Sequence, residues 1–152
     1  MNSQVATNYL RTKVLTATPE QLQMMLYDGA IRFCEQARAA LNEKNWEQSY
    51  SLISRVQKII TEMNCSLHHD VHPDLCGKLA ALYNYAYRKL IEANIDHKIE
   101  AIDDALTVLH YQRDTWAMLL DQMGKQKAAN IANKLDLPAP SERMEASISI
   151  QG

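Results

Sequence analysis

Cysteine, glycine, proline and phenylalanine are all scarce in this chain of 152 residues, at three, four, four and one. The cysteines, Cys34, Cys65 and Cys76, are odd in number and irregularly spaced, as expected of reduced thiols and not of a disulfide framework. So few glycines and prolines leave room for long helices and short connections. No sign of charge dominates: 16 basic and 18 acidic residues are interspersed, for a net charge of -2. Without a basic block or stripe there is no nucleic-acid surface. No apolar run exceeds five residues, which excludes a hydrophobic membrane span and a signal-peptide core and gives the expectation of a cytoplasmic protein with no membrane insertion. Motifs of catalysis are missing too. There is no glycine-rich phosphate loop, nucleophile elbow, His-Glu-x-x-His zinc motif or Glu-x-x-His pair, so neither an enzyme nor a cofactor is expected.

What the chain does have is helical periodicity. Thr18, Pro19 and Gln21 make a helix start with a capping box, and a helix is expected over about 19–42, striped by Leu22, Met25, Leu26, Gly29, Phe33, Ala37 and Ala40. A second, capped by Asn45 and ending near Leu67, carries Leu52, Val56, Ile59, Ile60, Met63 and Leu67. Pro73 opens a third, with Leu75, Leu79, Leu82, Ala86 and Leu90, ending around Asn94. Asp96 can cap a fourth, which carries Ile99, Ile102, Leu106, Leu109, Arg113, Trp116 and Leu120 and stops at Gly124. Short links force neighbours antiparallel, so the expected fold is all-α: an up-down four-helix bundle over 18–124. Residues 1–17 lack a folded pattern and are expected to form a mobile N-terminal arm that can dock as a helix or extended strand. Residues 125–152 are expected to give a short fifth helix at 125–135 and, from Pro138, a flexible C-terminal tail. "LYDGAIR" at 26–32 is echoed by "LYNYAYR" at 82–88, as two similar hairpins would be.

There is more apolar surface than a core needs. The third helix has a second stripe of Cys76, Ala80, Tyr83 and Tyr87; the first adds Met24 and Tyr27, and the fourth adds Ala105, Met118 and Leu119. In a four-helix bundle no helix is central, so a helix apolar on two faces is crowded in packing, dimerises, or offers grooves to another apolar helix. The arm adds Val5, Tyr9, Leu10 and Val14, spaced four or five apart. Gly29 within the stripe implies close approach of another helix or of a partner, since mid-helix glycine costs about 1 kcal/mol relative to alanine. Arg113 stands where the stripe calls for an apolar residue. It calls for an internal carboxylate, or for a stem laid along the core with its head in water, ahead of a ligand contact. Cys65, His68, His69, His72 and Cys76 have the residue types of a zinc site, but their spacing matches no ligand set. A polar turn rich in histidine is the better reading, and no metal site is assigned.

The surplus residues also carry a resemblance. The stretch Thr16, Ala17, Thr18, Pro19, Leu22, Met25, Leu26, Tyr27, Asp28, Gly29 and Ala30 resembles the signature of the flagellin export chaperones, the FliS family. Tyr9 corresponds to the aromatic of that family's arm. A second block, "LYNYAYRKLIEAN" followed by "RDTW", matches at Leu82, Tyr83, Arg88, Leu90, Ala93, Asn94, Arg113 and Trp116. Thr18 stands where serine is usual, and the signature does not reach past about 125. The resemblance implies a four-helix chaperone that binds the disordered C-terminal segment of flagellin, keeps it from polymerising early and delivers it to components of the flagellar type III export apparatus. Taken with the surplus surface, it gives a partner-binding set of Tyr9, Leu10, Val14, Met25, Tyr27, Tyr83 and Tyr87. Two rivals stand beside it: a homodimeric helical scaffold, in which arm and second stripes are dimer contacts, and a metal-dependent bundle built on the histidine turn.

Overall fold

The computed structural model describes residues 2–135. Five helices follow in order: α1 (Asn2–Thr16), α2 (Pro19–Asn42), α3 (Trp46–Cys65), α4 (Pro73–Asp96) and α5 (Ile99–Lys134). The chain divides into two compact units after Thr115. Among the described residues there is no strand, and no helix is long and apolar enough to cross a membrane.

The capping chemistry is as expected for two helices. Thr18 Oγ1 accepts from the Gln21 amide at 3.2 Å, and Gln21 Oε1 accepts from the Thr18 amide at 3.0 Å. Asn45 Oδ1 accepts from the Gln48 amide at 3.2 Å, opening α3. Asp96, by contrast, ends α4 instead of capping the next helix. His97 turns the chain with φ 54° and stacks on Trp46, ring centroids 4.0 Å apart.

Helices α2 to α5 form the up-down four-helix bundle. Antiparallel α2 and α3 meet where a Cβ at Gly29 would lie 3.8 Å from Ile59 Cδ1 and where Arg55 stands over the Phe33 ring. Antiparallel α3 and α4 meet at Asn64 with Asn84 and at Trp46 with His97. Lys89 of α4 reaches Asp104 of α5 at 3.4 Å. Two ion pairs set α5 antiparallel to α2: Arg38 with Asp103 at 2.7 Å and Arg113 with Asp28 at 2.9 Å. The core between them holds Cys34, Ile53, Val56, Ile60, Met63, Tyr83, Leu90, Ile102 and Leu109.

The structure departs from the sequence expectations in three ways. Residues 1–17, expected as an arm that becomes a helix or strand on docking, contain helix α1 although nothing on it is buried. The expected stop at Gly124 and separate fifth helix are replaced by continuous α5 of 36 residues. The tail expected from Pro138 lies outside the described residues. Third, the buried faces are rotated. On α2 they comprise Tyr27, Gly29, Ala30, Ile31, Cys34, Ala37, Ala40 and Leu41, while Leu22, Met25, Leu26 and Phe33 are only half-buried. On α4 they are Cys76, Tyr83, Ala86, Leu90 and Ala93, so half of the supposed second stripe is core. On α2 the small residues Gly29, Ala30, Cys34, Ala37 and Ala40 let helix backbones approach closely, and Leu22, Met25, Leu26 and Phe33 stand at the rim of that contact.

Candidate partner-binding surface

The expected site residues fall into three groups. Tyr9, Leu10 and Val14 project from α1 into solvent, Tyr9 at 70% exposure, together with Val5 and Leu15. Spacings of four put Val5 with Tyr9 in one row and Leu10 with Val14 in another. The threonines of α1 turn inward on its own backbone: Thr7 donates to the Ser3 carbonyl, Thr12 to Asn8 and Thr16 to Thr12. Isolated helices shorter than about 12–15 residues are marginal in water, and this one of 15 residues buries none of them.

Met25 and Tyr87 form the second group, half-buried on α2 and α4. Met25 belongs to a row with Leu22, Leu26, Gly29 and Phe33, in which each residue has a neighbour three or four positions away along α2. Gly29 makes the floor of this row. Phe33 ends it, with the Arg32 and Arg55 guanidinium groups 5.2 and 5.5 Å from its ring centre. Phe33 and Leu22 were placed in the core by periodicity. The signal for the rim was the run of alanines and Cys34 on the adjacent face, whose small size marks the close helix contacts.

Tyr27 and Tyr83 make up the third group, and here the surface expectation is corrected. They are 3% and 1% exposed and share a hydroxyl–hydroxyl hydrogen bond of 2.7 Å across the bundle. Gln23 Nε2 donates to the Tyr83 hydroxyl at 3.4 Å. Burial and the bond to Tyr27 push the Tyr83 phenol well above the usual tyrosine range. A buried tyrosine needs a partner for its hydroxyl, and each supplies the other's. They are also the matching positions of the sequence echo, so the two similar segments meet at their tyrosines.

Arg113 is likewise satisfied internally. Its Nε donates to Asp28 at 2.9 Å, and its Nη1 lies 3.4 Å from Asp114. Asp28 first, then Asp114, holds the guanidinium above its ordinary range. The stripe position given to Arg113 falls to its neighbour: Gln112 is 3% exposed, and neither its amide nitrogen nor its amide oxygen has a hydrogen-bond partner.

Cys65, His68, His69 and His72 are exposed and Cys76 is buried. Among the described residues no three His, Cys, Asp or Glu side chains are grouped to hold a metal ion. Cys34 is enclosed, and burial, aided by Glu35 and Asp103, pushes its thiol up to about 12, leaving it an inert neutral packing group.

Comparison with known proteins adds the following. The family described as "Flagellar protein FliS" matches residues 1–123. Among similar sequences is a flagellar secretion chaperone FliS of Bacillus subtilis (strain 168), 30% identical over 121 residues, covering 80% of this chain and 90% of the relative. Another, of Escherichia coli (strain K12), is 26% identical over 108 residues, covering 70% and 79%. Among solved structures, a crystal structure of a flagellar chaperone from bacteria superposes with a TM-score of 0.65 at 20% identity, covering 80% of this chain and 99% of that one.

Proposed function

We infer the function from one premise: this chain belongs to the flagellar protein FliS family, whose similar members are secretion chaperones and not enzymes. On that premise the chain is a cytoplasmic export chaperone for flagellin. It binds flagellin's disordered C-terminal segment, keeps it from polymerising early and hands it to the flagellar export apparatus. The observation that carries the reading is the half-buried row Leu22, Met25, Leu26 and Phe33 on α2, over buried Gly29, in a chain whose α1 has all its apolar residues exposed. An unfolded amphipathic client can fold as a helix along such a row, its apolar face replacing water. Tyr87 extends the contact on α4; Tyr27 and Tyr83 support the surface from beneath. The arm has a double role, shielding apolar surface in the free chain and clasping the client when it arrives. Shielding lowers apparent affinity by the fraction of open molecules, so it must be weak.

Calorimetry with a flagellin C-terminal peptide tests the reading. Met25→Asp is expected to weaken binding by about tenfold or more, since it places a charge in a desolvated contact, without lowering the melting temperature. Equal affinity for parent and variant would remove the α2 row from the site.

A further inference from the structure

We propose that the first turns of α4, Pro73–Leu82, form a flap that opens from the bundle in the free chain and uncovers a polar core layer of Tyr27, Tyr83 and Gln112. The flap is held by little. His72 stands at the N-cap position but gives no side-chain hydrogen bond to the first-turn amides. Within the flap only Cys76 is buried, while Leu75 is 56% exposed. Gly77 sits inside the helix with nothing within 4 Å of where its Cβ would be, so this turn bears the full backbone-entropy cost of glycine and no packing offsets it. Past Tyr83 the helix changes character, with Ala86, Leu90 and Ala93 fully enclosed. Local opening concentrates where buried apolar contacts are few.

The layer beneath favours opening as well. Arg113 beside Asp28 and Lys89 beside Asp104 fix the helix register. That register puts Gln112 within about one turn of Tyr27 and Tyr83 along the bundle. Buried polar groups in native proteins are nearly always paired, yet both polar atoms of the Gln112 amide are buried without a partner. Lifting α4 away admits water to them, and that hydration offsets part of the burial lost. Opening also enlarges the apolar surface next to the α2 row. The use of this surface by flagellin rests on the function proposed above; the flap itself does not.

Native-state hydrogen exchange on the full chain, without flagellin, tests the flap. Amides of 76–83 are expected to exchange at least about tenfold faster than those of 86–94. His72→Asp with Gly77→Ala, which adds a cap and removes the glycine, is expected to slow them by about fivefold or more. Gln112→Met removes the unpaired amide at similar volume and is expected to slow the same segment. Equal exchange in the two segments, or no response to the capped variant, would overturn the flap. Faster exchange in Gln112→Met would overturn the role of the polar layer. With flagellin peptide, the capped variant is expected to associate more slowly than the parent. An unchanged rate would overturn flagellin's use of the opening, and a parent chain that binds no peptide would overturn the function proposed above and leave the exchange result standing.

Discussion

Single side chains decide where this fold is rigid. Tyr27 and Tyr83 share their hydroxyl bond, so Tyr27→Phe leaves the buried Tyr83 hydroxyl only the longer contact from Gln23 and is expected to cost about 1 kcal/mol in urea denaturation. Adding Tyr83→Phe should recover part of that loss, because replacing both partners removes the orphan; a double-mutant cycle measures the coupling. Alkali acts on the same region. The Cys34 thiol rises from 9.0 to about 12, and the Tyr83 phenol rises above its ordinary 10.0. Both groups stay protonated in the fold at a pH where the unfolded chain ionises them. Their contribution to stability is complete below about pH 9 and is lost as pH climbs from there towards 12. Chemical denaturation across that range should show the decline, with a shallower slope between 9 and 10 in Cys34→Ala. Gly29 needs a different account from the one its sequence position implies. A methyl there meets only Ile59 Cδ1 at 3.8 Å, an ordinary contact, so Gly29→Ala is expected to stabilise the chain by up to about 1 kcal/mol. A larger side chain at this floor position fills the half-buried row and is expected to block the partner.

At the scale of helices, much was legible in the sequence, and what was not has a physical cause. Caps and prolines mark the starts of α2, α3 and α4 because a first helical turn must satisfy its own amides. Faces were harder. Counting large apolar residues put Leu22, Met25 and Phe33 inside and left Gln112 unnoticed, whereas helix approach selects alanine, glycine and cysteine for the closest contacts. Arg113 stood out as an anomaly in its stripe because the stripe was drawn one residue away from the true core line through Ala105, Leu109 and Gln112. The α1 helix was legible only as one of two options, helix or strand, because its apolar residues form two short rows with no single face. With no buried residue it has only local bonds to hold it. Its amides are expected to exchange almost freely in the absence of flagellin and to gain protection when the peptide is added. Deleting residues 1–14 is expected to reduce peptide affinity on balance. An arm equally unprotected in both states would show that it neither shields nor clasps.

At the scale of the whole molecule, the two blocks of the family signature turn out to face each other. Tyr27 and Asp28 come from the first, Tyr83 and Arg113 from the second, and they pair with one another. Four polar residues of that signature thus hold three helices in register. The Arg113–Asp28 and Arg38–Asp103 pairs are half-exposed and screened by solvent, so they fix geometry and add little stability. Arg113→Gln should lower the urea midpoint only slightly, and less still in high salt. Trp46, stacked on His97, has one further consequence. It stands where α2 ends and α3 begins, and α2's 24 residues put it about 36 Å along the axis from the start of α2. The chain's other tryptophan is Trp116, so Trp116→Phe leaves a single fluorophore at the opposite end of α2 from Leu22 and Met25. Its emission then serves as an internal control: a change on adding flagellin peptide reports strain transmitted through the entire helical hairpin, and a constant signal reports that the effect of binding stays local.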